Sequence, residues 1–238
     1  MIQPKLNSLN VPLSDSRNAG DSELGWREFL VSLSYFTNHC SYRIKEDEIA
    51  DITKSLFNWT NRKDLLRYKV RNTSTNNMVE GNIKLGDIFL VDLGINYKPE
   101  CSYAHPALIL EEIDGMVAII PTSSNINKIS AAYHPQSNNT GKWFYRRVGI
   151  MNGFNDECVL LLNNLRVVSK GRLIEKKGQL NEDINLINSL FSEVKYTIFS
   201  HYLPKQHINY LKLSEENDKL KENIKKLNDE LDFLKQKS

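Results

Sequence analysis

Apolar positions in the first third of the chain recur at helical spacing. The large side chains lie three or four residues apart, at Trp26, Phe29, Leu30, Leu33 and Phe36. This spacing predicts an amphipathic helix. A second helix is predicted over Asp47 to Trp59, and a third after Asn61, a residue type that often caps helices. We therefore expect a helical N-terminal unit over residues 22–75, preceded by a polar, disordered arm over residues 1–21.

The pattern changes after residues 73–82, TSTNNMVEGN, which break the helical periodicity and mark a boundary. Short β-rich runs follow, at Asp87 to Leu93, Pro106 to Leu110, Val117 to Ile120, Trp143 to Val148, Cys158 to Leu162 and Leu165 to Val168. Asp114-Gly115 predicts a tight hairpin turn. Several short strands at close spacing favour a small, strongly curved barrel or half-barrel. With a closing helix predicted from Asn181 to Phe199, this domain spans residues 83–203.

Leucines seven residues apart dominate the end of the chain, at Leu213, Leu220, Leu227 and Leu234. A second seven-residue series consists of Tyr210, Asn217, Ile224 and Leu231. Together they form an a/d heptad pattern, which predicts a leucine-zipper-like coiled coil over residues 205–238. Asn217 at an a position favours a parallel pair, and Glu216 and Glu230 can meet Lys221 and Lys235 of a second copy. The alternative is one long helix that folds back on its own domain.

Composition adds little to this picture. The 238 residues carry a net charge of +2, so a nucleic-acid surface would have to be a local patch. Cys40, Cys101 and Cys158 lie far apart, which predicts reduced thiols in a cytoplasmic protein and neither a disulfide framework nor a metal site. The sequence contains no run of about 20 apolar residues and no cofactor motif. We expect no cofactor, no metal and no membrane span.

Four short motifs follow one another between residues 84 and 180. They are Gly86-Asp87 opening a strand, the aliphatic run Pro106 to Leu110, the strand end Pro121 to Ser123, and Leu165-Arg166 followed by Arg172-Leu173. In this order the motifs resemble those of the MazF/PemK (Kid-type) family of toxin endoribonucleases. The resemblance covers about 95 residues and leaves the helical front and the zipper unexplained.

The resemblance implies an α+β protein. A small SH3-like curved antiparallel β-barrel would be flanked by the N-terminal helical unit and the C-terminal coiled-coil helix. It also implies metal-independent cleavage of single-stranded RNA, in which the ribose 2′-hydroxyl attacks the neighbouring phosphorus. The expected products are a cyclic phosphate and a 5′-hydroxyl end. An antitoxin protein that covers the groove is a possible partner, and a homodimer through the Leu213 to Leu234 helix is expected.

Four residues are candidates for the chemistry. His105 stands where the family usually has arginine, and an imidazole titrates near neutrality, as a base or an acid requires. The hydroxyls of Thr122 and Ser123 could bond a phosphate oxygen, or they could simply end a strand. Asn163 replaces the family's carboxylate, so a second proton carrier must come from elsewhere. His134 is one candidate, and the alternative is an exposed loop histidine with no role.

Candidate RNA contacts cluster in the stretch KWFYRR, residues 142–147, which combines three aromatic with three cationic side chains. We single out Lys98, Lys128, Tyr133, Lys142, Trp143, Arg146 and Arg147. The alternative for the stretch is an ordinary strand with its aromatics on both faces. At the level of function, the alternatives are an inactive SH3-like module that binds nucleic acid or protein, and an adaptor whose main property is dimerisation.

Overall fold

The structure is a computed structural model that describes residues 23–40 and 44–237. These residues form a mixed α+β fold, as expected. The disordered arm predicted over residues 1–21 lies outside the described residues. The chain divides into two compact units after Leu56. No helix among the described residues is long and apolar enough to cross a membrane.

The two helices predicted at the N-terminus are present, as α1 (Glu23–Cys40) and α2 (Glu46–Arg62). The third predicted helix is wrong, because the chain turns after Arg62 and forms a hairpin of β1 (Lys69–Arg71) and β2 (Met78–Glu80). Tyr68 is buried with its ring edge-on to Phe89, at a centroid distance of 4.9 Å. This tertiary contact outweighs the apolar spacing that suggested a helix.

An eight-stranded sheet forms the centre of the second unit. Its strands are β3 (Asp87–Asp92), β4 (Ala104–Ile113), β5 (Met116–Ser123), β6 (Ala132–Tyr133), β7 (Lys142–Val148), β8 (Cys158–Leu161), β9 (Arg166–Ser169) and β10 (Leu173–Gln179). The spatial order is β10-β3-β4-β5-β8-β7-β6, with β9 paired to β5. All pairs are antiparallel except β6 with β7. All six predicted strands are present.

The strand path is open, and no pairing within the described residues closes it into a barrel. Within this sheet unit, the sequence analysis did not predict the short helix α3 (Ile126–Ala131) or the strands β6 and β10. The Asp114-Gly115 turn is confirmed, since both residues have positive φ, 36° and 82°, as a tight hairpin between β4 and β5 requires.

Both faces of the central strands are buried. One face packs into a cluster that includes Phe89, Val91, Ala107, Ile109, Val117, Ile119, Val159 and Leu161. The other face, with Ile88, Leu108, Ile120 and Leu160, packs against the side chains of Leu190, Phe191 and Val194. Each fully buried side chain of this kind contributes about 1.5–3 kcal/mol. A slip of one residue would exchange the two faces of a strand, so the register is strongly specified.

Helix α4 (Leu190–Tyr202) covers the second of these faces. It begins nine residues later than the sequence predicts. Ser189 caps it, and the Glu182 carboxylate accepts hydrogen bonds from the amides of Leu190 and Phe191, both at 2.9 Å. An internal ion pair also joins α4 to β7. Arg146 is buried and donates to both carboxylate oxygens of Glu193, at 2.6 and 2.9 Å.

Helix α5 (Pro204–Lys237) confirms the helical prediction for the end of the chain. Tyr210 contacts Phe199 of α4 at a ring-centroid distance of 6.0 Å. Further along, the heptad side chains Leu213, Leu220, Ile224 and Leu227 are all more than half exposed. Among the residues that the structure describes, therefore, none covers this part of the apolar stripe of α5.

We expect the substitution Arg146→Gln to destabilise the fold by about 1–3 kcal/mol, because it leaves the Glu193 carboxylate without its two-point donor. Arg147→Gln is the matched control. Arg147 pairs with Glu157 at the surface, and an exposed pair contributes about 0–1 kcal/mol. Urea unfolding of both variants measures the difference. Equal midpoints for the two variants would contradict a structural role for the Arg146–Glu193 pair.

Candidate active-site groove

A groove of about 310 Å³ opens across the ends of five adjacent strands. Its lining includes Ile88 of β3, His105 and Pro106 of β4, Thr122, Ser123 and Ser124 at the end of β5, Cys158 of β8 and Lys177 of β10. The segment 153–156, just before β8, completes it. The structure thus brings together three of the four predicted catalytic residues, His105, Thr122 and Ser123.

Strand register brings these three residues to one edge. His105 is the second residue of β4 and pairs with Val91 of β3. Ala107 pairs with Pro121, so the start of β4 lies beside the end of β5. The Thr122 hydroxyl donates to the carbonyl oxygen of Pro106 at 3.1 Å, which ties the two strands together where the groove begins. His105 is half-buried there.

The two hydroxyls have different surroundings. Thr122 is only 3% exposed, and its proton is engaged by the Pro106 carbonyl. Ser123 is half-exposed, and its oxygen accepts a hydrogen bond from the amide of Asn125 at 3.3 Å. That bond leaves the Ser123 hydroxyl proton available for an oxygen in the groove. Ser123 is therefore the better placed of the two to donate to a phosphate.

The thiolate form of the groove cysteine, Cys158, is disfavoured. Burial raises the pKa of Cys158 to about 11, the hydrogen bond between Cys158 and Thr122 opposes this rise, and the nearby charges of Asp156 and Glu157 add to it. Burial also raises the pKa of Cys101. Both thiols are buried and unpaired by disulfide, and a protonated thiol is a poor nucleophile.

His134 is not among the residues that line the groove. It follows β6, which is separated from β5 by β7 and β8 in the sheet. Its Nδ1 atom accepts hydrogen bonds from the amides of Gln136 and Ser137, at 3.3 and 3.2 Å. Three strand spacings of about 4.8 Å lie between β6 and β5. This geometry favours the alternative, a loop histidine with no role in the chemistry of the groove.

The KWFYRR stretch forms β7, and its cations are engaged within the chain. Arg146 binds Glu193, as described above, while Arg147 binds the exposed Glu157 at 2.6 Å. The Trp143 ring stacks on His201 of α4 at a centroid distance of 3.8 Å. These contacts favour the structural alternative for Arg146 in particular. Arg147 is on the surface, where a phosphate could replace the Glu157 carboxylate.

The remaining candidate RNA contacts lie outside the groove. The Lys128 ammonium is 5.9 Å from the centre of the Tyr145 ring, and the Lys142 ammonium is 5.9 Å from that of Phe144. The centre of the Tyr133 ring lies 5.6 Å from the guanidinium carbon of Arg146. Lys98 is exposed in the loop between β3 and β4. The lysines of α3 and β7 and Tyr133 of β6 belong to the β6–β7 side of the sheet.

A second, wider groove of about 650 Å³ contains Asn163, which stands where the MazF/PemK family has a carboxylate. Asn163 lines it together with Arg166 and Arg172. The Arg166 guanidinium lies 3.7 Å from the Glu100 carboxylate, and the Arg172 guanidinium donates a hydrogen bond to the backbone carbonyl oxygen of Asp92 at 3.0 Å. Asn163 and His105 therefore line different grooves. Replacing Asn163 by an acid would not place a carboxylate in the groove of His105.

Sequence reasoning missed two charged residues of the first groove. Asp156 stands in the segment between β7 and β8, and Lys177 stands in β10, a strand that the sequence did not predict. Neither residue belongs to a recognisable motif, and only the fold brings them into the groove that His105 lines. Among the described residues, no three histidine, cysteine or acidic side chains are grouped so as to hold a metal ion.

Comparisons with known proteins bear on residues 84–189. No curated protein matches the sequence. Among solved structures, the Mycobacterium tuberculosis toxin MazF-mt6 is similar, with 16% sequence identity and a TM-score of 0.32 over 49% of this chain and 95% of that one. Residues 84–189 also match the family model of the PemK-like, MazF-like toxin of type II toxin-antitoxin systems. The resemblance to that toxin family is therefore confirmed for this part of the chain, which is a little under half of its length.

Proposed function

We propose that this protein is an endoribonuclease toxin of a toxin–antitoxin or related defence system. It cleaves single-stranded RNA without a metal ion, through attack of the ribose 2′-hydroxyl. The observation that carries the proposal is the groove that gathers His105, Thr122 and Ser123 at the ends of neighbouring strands. The family match over residues 84–189 supports the same class of activity. The proposal places the protein in the cytoplasm, where its substrate is found.

The chemistry requires a base for the 2′ proton, stabilisation of the charged phosphorus centre, and an acid for the leaving oxygen. His105 is one of the two proton-transfer groups, because it lines the groove and an imidazole can both accept and donate a proton. Ser123 donates to a non-bridging phosphate oxygen. Thr122 holds the start of β4 to the end of β5 through the Pro106 carbonyl and so positions His105.

RNA flanking the scissile phosphate is held by the β6–β7 side of the sheet. Lys128, Lys142 and Arg147 supply charge there, and Tyr133 and Trp143 offer ring faces or edges to bases. Lys98 contributes from the loop between β3 and β4. Arg146 acts indirectly, since its pair with Glu193 fixes the strand that carries these groups.

The protein acts as a homodimer joined by α5. The exposed apolar side chains of this helix keep strict heptad spacing, and a parallel second copy would cover them. Asn217 would pair with its own copy in the seam, while Glu216 and Glu230 would meet Lys221 and Lys235. The groove is also the surface that a partner antitoxin would cover.

A second candidate function is a binding module that has lost its catalytic activity and is dimerised by the coiled coil. The presence of His105 where the family has arginine, and of Asn163 where it has an acid, favours this alternative. Such a module would bind RNA without cutting it. The same experiment separates the two candidates.

We expect the purified protein to cut long single-stranded RNA in the presence of a chelator and to leave 5′-hydroxyl ends. His105→Ala should lower the cleavage rate about 10²- to 10⁴-fold, the usual contribution of one acid–base group. End-labelling of the fragments measures both the cut positions and the end chemistry.

His134→Ala is the matched control, since it removes an imidazole that does not line the groove. We expect it to cut at nearly the wild-type rate. RNA that is bound by the wild type but never cut would establish the binding module instead. Equal losses in both histidine variants would contradict the proposed site.

We expect Leu220→Glu combined with Leu227→Glu to convert the protein from dimer to monomer, because two carboxylates would be buried at d positions of the seam. Sedimentation equilibrium measures the mass. Asp229→Ala, at the outward f position of the same helix, should remain dimeric. A wild-type protein that is monomeric at micromolar concentration would contradict the zipper.

A further inference from the structure

We propose that Asp156 is the second proton-transfer group of the groove and accepts the 2′-hydroxyl proton, while His105 protonates the leaving oxygen. Lys177 supplies a fixed positive charge to the same groove. This inference rests on the proposed RNA cleavage and names the residue that the sequence left unassigned. Asp156 and Lys177 line the groove with His105, on opposite sides of it in the strand order.

Displacement at phosphorus places the attacking and leaving oxygens roughly in line, on opposite sides of the phosphorus atom. The base and the acid must therefore approach the phosphorus atom from opposite sides. Two side chains at the end of the same strand would approach it from the same side. His105 belongs to β4, whereas Asp156 precedes β8, and β5 runs between these two strands. The two side chains thus reach the groove from different strands, and the groove volume of about 310 Å³ leaves room for a phosphodiester.

The position of Asp156 follows from the pairing of β8 with β5. Ser123 pairs with Val159, so the residues before Cys158 continue past the end of β5, beside Ser123 and Ser124. The Asp156 side chain is exposed, and it forms no ion pair in the part of the chain that the structure describes. Its neighbour Glu157, by contrast, is engaged by Arg147. The Asp156 carboxylate is therefore available to a substrate.

Electrostatics agree with this placement. Burial is the main cause of the raised pKa of Cys158, and the negative charge of Asp156 adds to it. The Asp156 carboxylate therefore interacts electrostatically with a residue that lines the groove. The Cys158 thiol is in turn hydrogen-bonded to Thr122, whose hydroxyl donates to the carbonyl of Pro106, next to His105. A chain of contacts thus connects the two sides of the groove.

Lys177 reaches the groove because its strand is irregular. Lys176 pairs with Phe89 and Gly178 with Ile88, so Lys177 is the extra residue of a bulge in β10. Bulges redirect a side chain relative to the regular alternation of a strand. The Lys177 ammonium lies 2.5 Å from the exposed Glu175 carboxylate. An exposed pair of this kind is weak, and a phosphate can displace the carboxylate.

The proposed step balances within the substrate and these two side chains. The 2′ oxygen gives its proton to the Asp156 carboxylate and forms a bond to phosphorus, while the bond from phosphorus to the 5′ oxygen breaks. The 5′ oxygen takes a proton from the His105 imidazolium. The products are a 2′,3′-cyclic phosphate, a 5′-hydroxyl, a protonated Asp156 and a neutral His105, and exchange with solvent restores both side chains.

The charged groups near the groove determine the pH dependence. Strand β10 contributes two ion pairs, Lys177 with its neighbour Glu175 and Lys176 with Asp87 of β3. The segment before β8 contributes Glu157. Cleavage requires ionised Asp156 and protonated His105. The rate should therefore first rise and then fall with increasing pH, because the base must be ionised and the acid must be protonated.

The test compares single-turnover cleavage of one single-stranded RNA by the wild type, Asp156→Asn, Asp156→Glu and Asp114→Asn. Asp114 is the matched control, because it is an exposed aspartate at the opposite end of the hairpin formed by β4 and β5. Asp156→Asn should lose about 10²- to 10⁴-fold in rate and the low-pH limb of the profile, and Asp156→Glu should recover part of the rate. Affinity for a fully 2′-O-methylated RNA should stay within about twofold of wild type in Asp156→Asn and fall about tenfold in Lys177→Met.

Asp156→Asn that cuts as fast as Asp114→Asn, with both limbs of the profile intact, would overturn the inference while leaving the proposed nuclease standing. The same holds if Asp156→Asn loses rate only in proportion to its RNA affinity or its thermal unfolding midpoint, since Asp156 would then bind or stabilise. Unchanged RNA affinity in Lys177→Met would overturn the role of that lysine. A wild-type protein that binds RNA without cutting it would overturn the proposed nuclease and this inference together.

Discussion

Burial on both faces of β3, β4, β5 and β8 is the constraint on which the rest of this structure depends. Alternate side chains of these strands enter two different apolar clusters, so no strand can slip by one residue without exchanging its faces. The fixed register brings the start of β4 beside the end of β5 and the start of β8. His105 and Ser123 owe their common position to apolar packing several residues away from them.

The same packing decides which charges stay available to a ligand. Arg146 and Arg62 are used inside the fold, the first against Glu193 of α4 and the second against the carbonyl oxygens of Gly171 and Leu173. Asp156 and Lys177 remain at the surface of the groove. Helix α4 also connects the sheet to α5, because the Tyr202 hydroxyl donates to the carbonyl of Leu162 at 2.9 Å. Pairing of two α5 helices would thus be linked to the sheet through one short junction.

The sequence predicted those elements whose signal is local. The six strands were visible as short apolar runs, and the heptads of α5 as leucines seven residues apart. The hairpin after Arg62 was mistaken for a helix, because Tyr68 takes its conformation from a distant contact with Phe89. Strand β10 was missed because its exposed run of Glu175, Lys176 and Lys177 looks like a solvated turn.

In the candidate site, too, the sequence predicted the residues with a local signal and missed those placed by distant contacts. His105, Thr122 and Ser123 were found because they belong to short motifs that precede or end an apolar strand. Asp156 carried no signal, since its place in the groove depends on the pairing of β8 with β5. The cations of KWFYRR looked like a binding surface, but the Glu193 that engages Arg146 lies 47 residues away in sequence. Sequence spacing cannot indicate that a charge is already neutralised within the fold.

The central claim is that one phosphodiester is held between β4 and the segment before β8. A crystal structure with a short single-stranded RNA carrying a 2′-deoxy sugar at the cleavage position tests it most directly. We expect the scissile phosphorus to lie between the His105 imidazole and the Asp156 carboxylate, with a phosphate oxygen near the Ser123 hydroxyl. A phosphate bound instead beside Arg166 and Arg172 in the wider groove, with the first groove unoccupied, would contradict it.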